Sequence, residues 1–313
     1  MCDRSDRSEP VPLPLNVRTP RQSRIRRIVT LVSQRHLLVS ILYLISMPFS
    51  IVSILNSRRI HPGYGMTTWR KLRLGVQFFL NGLRISTGTT YKTHLAMALK
   101  LFETPPDVAG DVIECGTFKG GSAANLSLVC RIVGRKLRIF DSFEGLPEGD
   151  PLDREAKFYK RGDWAGTLDE VRSNISKYGA PECCEYVRGW FKDTLPHLDR
   201  PVILAFVDVD LEESLDTCVR YIYPNLTAQG YIFIDEVTGT DYCALFYSER
   251  WWQENFQRTP PGLIGAGVGL ALGEFYIGPG TEIEDHPMQH SNAGAYMHKG
   301  MSGYWSYYPP ATR

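Results

Sequence analysis

Four short stretches put acids or glycines where a site could be built: Glu114-Cys115-Gly116, Asp141-Ser142, Asp208-Val209-Asp210 and Asp235-Glu236. Each follows a run that reads as a β-strand. One acid at a strand end is common in a solvated loop, but four on one edge make a candidate pocket, because open parallel sheets bind ligands beyond the carboxyl ends of their strands. The segment from Glu114 to Ser122 (ECGTFKGGS) leaves a strand and opens a helix, with glycines that let a ligand approach the backbone closely. It lacks the G-x-G-x-x-G triplet that a dinucleotide pyrophosphate requires. An acid ahead of the first glycine suits a ligand with an ammonium group, which favours an amino-acid-bearing nucleotide such as S-adenosylmethionine. Asp141, closing the next strand, is placed to take ribose hydroxyls.

The elements that must position these residues read as alternating strand and helix. Strands are expected at Asp111–Cys115, Leu137–Phe140, Tyr186–Val187, Val202–Val207 and Tyr231–Ile234, with a late one at Leu270–Ile277. Helices are expected at Ser122–Val133, Thr167–Tyr178 and Ser214–Tyr223, and ahead of the first strand in TTWRKLRLGVQFFLNGL and Tyr91–Glu103, the last stopped by Pro105 and Pro106. Uninterrupted apolar strands alternating with helices predict an α/β fold: a Rossmann-like, doubly wound, mostly parallel sheet with helices on both faces. A helical extension precedes it and a cap rich in Gly, Pro, His and aromatics follows.

The chain has 313 residues, 43% of them hydrophobic, which excludes wholesale disorder and allows one such domain plus extensions. A net charge of +1 gives no electrostatic case for a nucleic-acid partner. Seven cysteines without a C-x-x-C pair point to a reducing compartment and to buried small hydrophobes rather than catalytic thiols.

The expected domains are a disordered tail at 1–23, a basic and apolar helix at 24–60, a helical lead-in at 61–105 and the α/β domain at 106–313. Leu37–Leu55 holds no formal charge over 19 residues, long enough to span a bilayer. Pro48 interrupts it, and basic residues flank both ends (Arg24, Arg26, Arg27, Arg35; Arg58, Arg59). That symmetry gives no orientation and suits a segment lying on the cytoplasmic face of a membrane better than a span. The alternative is an apolar helix packed on its own domain or on a partner chain, and a homo-oligomer is compatible with either. The expected location is the cytoplasm, and the inner face of a membrane if the segment lies on lipid.

Five blocks, ECGTFKGGSA, DSFEGLP, RGWFKDTLP, FVDVDLEES and YPNLTAQGYIFIDE, occur in order between about Asp111 and Asn255. In this the chain resembles the macrocin O-methyltransferase group of class I S-adenosylmethionine-dependent methyltransferases. The resemblance implies that Glu114, Gly116, Thr117 and Phe118 line the methionine end of the cofactor. Asp141, Ser142, Phe143, Glu144 and Gly145 would surround its ribose and adenine, and Gly189, Trp190 and Phe191 would close the adenine side. It also implies a divalent metal, usually magnesium, on Asp208, Asp235 and Glu236. Three carboxylates on neighbouring strand ends would repel one another, and a hard dication with oxygen ligands removes the conflict.

The implied reaction is metal-dependent O-methylation of a sugar, glycolipid or secondary-metabolite hydroxyl. Asp208 is the expected catalytic residue, taking the acceptor proton. Asp210 either faces the site or caps the following helix. His286, His290 and His298 either fold over the pocket or are solvated. The related sugar methyltransferases carry a His after DSFEGLP, and this chain has none there. Two other functions compete: a nicotinamide-dependent oxidoreductase, disfavoured by the missing glycine triplet, and a membrane-tethered binding protein without activity.

Overall fold

The computed structural model describes residues 41, 44–149, 156–235, 240–268, 271–278 and 294–303. The chain divides into two units, 1–44 and 45–313. Only residues 41 and 44 of the first are described, both helical and exposed.

In the second unit the continuous apolar runs become the parallel core of one sheet. These are β1 (Asp111–Cys115), β2 (Leu137–Asp141), β3 (Cys184–Arg188), β4 (Val202–Val207) and β5 (Leu226–Ile234). Every residue of β4 is buried, as a strand covered on both faces must be. Three further strands, β6 (Leu263–Val268), β7 (Gly273–Ile277) and β8 (Gly294–His298), extend the sheet to the order β3-β2-β1-β4-β5-β8-β6-β7. Strands β1 to β5 are mutually parallel, and β8 pairs antiparallel with β5. The doubly wound expectation is met. The late strand is shorter than its apolar run suggested, and the two strands around it, β6 and β8, had no strand signal in the sequence.

Helices α1 (45–56), α2 (Thr68–Arg84) and α3 (Tyr91–Glu103) precede β1. Thr67 caps α2 through the Arg70 N–H, and Thr90 caps α3 through the N–H groups of Lys92 and Thr93. Helix α3 is buried along almost its whole length, so the lead-in packs as part of the unit. Helix α4 (Gly121–Val133) follows β1, α5 (Leu168–Tyr178) precedes β3, and α6 (Phe191–Thr194) and α7 (Glu212–Asn225) flank β4. Two short helices, α8 (Thr240–Ala244) and α9 (Glu249–Phe256), follow β5. Among the described residues no helix is long and apolar enough to cross a membrane. The expected tail at 1–23, and residues 24–40 of the basic and apolar segment, lie outside the described residues.

Candidate functional site

Strand register builds the site. Cys115 pairs with Val207 on one side and Phe140 on the other, Val207 pairs with Ile234, and Asp141 pairs with Arg188. The row across the carboxyl edge is therefore Arg188, Asp141, Gly116, Asp208 and Asp235, with Gly189 one residue beyond it. Adjacent strands lie about 4.8 Å apart, so Asp208 and Asp235 are neighbours and Asp141 is on the far side of Gly116. The strand order reverses between β1 and β4, which opens a crevice there. Gly116 keeps it open: φ is +79°, and a Cβ would stand 1.9 Å from the Asp208 carbonyl oxygen.

The crevice is one cavity. Of the residues expected to bind cofactor, it is lined by Gly116, Phe118, Asp141, Ser142, Gly145, Gly189, Trp190 and Phe191. Asp208, Asp210 and Asp235 line it as well. Asp210 has a left-handed φ of +57° and leaves the start of α7 to Leu211, so it is a wall residue and not a helix cap. Sequence reasoning missed Tyr159, Trp164, Leu146, Pro147, Val209 and Ser214, and Gly88, ahead of α3, lines the wall as well. Four aspartates and five aromatic side chains line the cavity, and no Lys or Arg does among the described residues. A negative, aromatic pocket favours a cationic ligand with a flat ring.

Asp141 holds the wall together. Its Oδ2 accepts the Thr117 N–H and its Oδ1 the Phe143 N–H, each at 2.7 Å. One carboxylate thus ties the turn after β1 to the turn after β2 with charge-assisted bonds. Ser142 Oγ accepts the Glu144 N–H and donates to the Gly145 carbonyl, both at 3.1 Å. Leu146 exchanges backbone hydrogen bonds with Gly162 and Asp163. That pairing brings Trp164 edge-on to Phe118, with ring centroids 5.3 Å apart. Phe118, Phe143, Trp164 and Asp210 all have positive φ. Such backbone costs energy and accumulates where a ligand has to be met.

Glu114, Thr117, Phe143 and Glu144 do not line the cavity. Glu114 is fully buried behind it, where Ser122 Oγ donates to its Oε1. Burial pushes its carboxyl from the ordinary 4.5 up to about 8, so it is neutral near pH 7. Thr117 enters through its backbone N–H, and Phe143 is buried. Glu144 turns outward to Arg188 at 3.2 Å.

A buried polar chain reaches the cavity wall from the opposite side. Gln77 donates to Asn81, Asn81 to Asn125, and the Asn125 amide donates to His94 Nδ1, at 2.8, 2.8 and 2.9 Å. Burial lowers the His94 pKa to about 3, so the ring is neutral, and its protonated Nε2 donates to Thr89 Oγ1 at 2.6 Å. Thr89 lies beside the wall residue Gly88. His298 does not fold over the pocket: it sits in β8 opposite Tyr231, toward the other end of β5 from Asp235. His286 and His290 lie outside the described residues.

Carboxylates are ligands for a hard cation, and Asp208 and Asp235 line one cavity from neighbouring strand ends. Glu236, the third expected ligand, lies outside the described residues. Among those described, no group of three or more His, Cys, Asp or Glu is placed to hold a metal.

The profile of the Macrocin-O-methyltransferase (TylF) family matches residues 87–259. An 8-demethyl-8-(2,3-dimethoxy-alpha-L-rhamnosyl)-tetracenomycin-C 4'-O-methyltransferase from Streptomyces olivaceus is 34% identical over 139 residues, 41% of this chain and 53% of that protein. A demethyldecarbamoylnovobiocin O-methyltransferase from Streptomyces niveus is 32% identical over 141 residues, 42% of this chain and 53% of that protein. The chain thus spans about half the length of the curated relatives it matches. The structure of the O-methyltransferase NovP aligns with a TM-score of 0.52 at 21% identity, covering 67% of this chain and 80% of that one, a likeness of fold. With more than half of its length matched by the profile, the chain belongs to the Macrocin-O-methyltransferase (TylF) family.

Proposed function

We propose that the chain transfers a methyl group from S-adenosylmethionine to a hydroxyl of a sugar or of a sugar-bearing secondary metabolite, with a divalent cation, magnesium by preference, at Asp208, Asp235 and Glu236. The observation that carries the reading is the charge of the cavity: four aspartates and no cationic side chain among the described lining residues. S-adenosylmethionine, carrying a sulfonium and an ammonium group, supplies the methyl. The glycolipid version of the acceptor is a narrower form of the same proposal.

Asp141 and Gly189 stand on the nucleoside side of Gly116, and Trp190 and Phe191 give the adenine an apolar wall. Asp208 and Asp235 stand on the other side, where an acceptor would meet the methyl group. A bound dication there would orient a hydroxyl and lower its pKa. Asp208 accepts the proton as the oxygen becomes the nucleophile. The displacement makes one oxygen–carbon bond and breaks one carbon–sulfur bond, so alignment within the cavity is the main contribution of the protein.

Titration calorimetry with S-adenosylhomocysteine tests the cofactor, and nicotinamide dinucleotides in the same cell test the oxidoreductase alternative. Binding of the first and not the second is expected. Asp208→Asn and Asp235→Asn should leave that affinity within a few-fold while lowering methyl transfer by at least about a hundredfold. Full turnover of Asp208→Asn, or turnover indifferent to chelator, would remove the metal and the base from this account.

A further inference from the structure

Helix α1 carries apolar side chains on both its buried and its exposed face. A surface helix ordinarily puts its apolar stripe inward and its polar residues outward. Here Ser46 and Ser50 are buried on the inward face, where both hydroxyls meet the Tyr91 hydroxyl at 2.7 and 3.5 Å. Ile51 and Ile54 complete that face, Ile51 lying against Gly75 of α2. Lys71 Nζ donates to the carbonyls of Leu55 and Ser57 and fixes the end of the helix. The outward face carries Ile45, Phe49 and Val52, spaced i, i+4, i+7 and exposed by 46%, 48% and 51%. On α2, Trp69 is 70% exposed.

The charge of the segment that carries this face is one-sided in sequence. Residues 10–102 hold fourteen Lys and Arg and no Asp or Glu, although the whole chain is only +1, so the rest of the molecule is acidic. Arg58, Arg59, Arg70, Arg73 and Arg84 are exposed in this stretch. An apolar face on a helix followed at once by the exposed Arg58 and Arg59 matches the chemistry of a membrane surface, where anionic headgroups lie over hydrocarbon.

We infer that the Ile45, Phe49 and Val52 face of α1 docks on an anionic phospholipid bilayer, in the plane of the interface, with Arg58 and Arg59 at the end of the helix on the headgroups. The inference is independent of the methyl-transfer reading. It makes the protein a peripheral one, drawn to the surface by charge and held there by three side chains.

The test is cosedimentation of the full chain with phosphatidylcholine vesicles that contain or lack phosphatidylglycerol. Binding to the anionic vesicles only, weakened by added salt, is expected. Phe49→Ser with Val52→Ser should lower the affinity by at least about tenfold, since each removes a buried apolar side chain from the bound state. Both positions are exposed, so the melting temperature should hold; Ile45→Ser, at the other end of the face, is the second variant if the pair does not fold. Arg58→Gln with Arg59→Gln should flatten the salt dependence. No binding to anionic vesicles, equal binding to neutral ones, or full binding by the serine variants overturns the inference. So does a dimer in solution that the serine variants dissolve, which would assign the face to a second copy.

Discussion

Glu114 is the residue whose role the structure changes most, and its proton gives a measurable test. In the fold its carboxyl is raised from 4.5 to about 8, chiefly by burial. In the unfolded chain it ionises near its ordinary value. Between those limits the native state keeps a proton that the unfolded state has lost, so the stability linked to that proton is complete below about pH 4.5 and falls as pH rises through about 8. Glu114→Gln replaces the neutral acid with a neutral amide of the same shape and keeps an acceptor for Ser122. Other groups, His94 among them, cancel when the variant is compared with the parent at each pH. The unfolding free energy of the variant minus that of the parent should therefore climb by up to about 1.4 kcal/mol per pH unit, or roughly 2 kcal/mol between about pH 6 and 7.5. Urea unfolding followed by circular dichroism across that range reads it directly. A difference that stays flat would mean the carboxylate is ionised in the fold, and the reasoning from burial would be refuted.

Asp141→Asn should cost about 2 kcal/mol, because an amide offers one acceptor where two backbone N–H groups each need one. The loss should appear in urea unfolding together with weaker S-adenosylhomocysteine binding; unchanged values for both would free Asp141 from its clamping role. Asn125→Ala interrupts the chain from Gln77 to Thr89 and leaves His94 Nδ1 without its donor. A loss of about 1–3 kcal/mol is expected, with faster amide hydrogen exchange at Thr87 to Thr90. Exchange there at the parental rate would show that the loop does not depend on His94.

Much of the scaffold was legible because it is local. The helix Tyr91–Glu103 has a threonine before it, a continuous apolar pattern and two prolines after it, and it forms over those residues. The parallel strands were legible as unbroken apolar runs, since covering both faces of a sheet leaves no polar alternation. Strand β6 was not, because Gly265 and Gly267 interrupt its pattern. Nor was β8, which sits in a stretch that reads as loop and is made a strand by pairing with β5 and β6. The aromatic wall was hidden for a similar reason. Trp164 reaches Phe118 only because the 162–163 backbone pairs with Leu146, a contact that residue types do not announce.

The sequence by itself determined which residues end the strands, and strand register then makes a row of them, so Gly116, Asp141, Asp208 and Asp235 could be named in advance. Only the tertiary structure decided which acids face the cavity. Glu114 points into the protein interior behind the wall, Glu144 turns out to Arg188, and Asp210 turns in. The reason is physical: a residue's place along a strand is a local property, whereas the direction and charge of its side chain depend on what distant segments leave room for and desolvate.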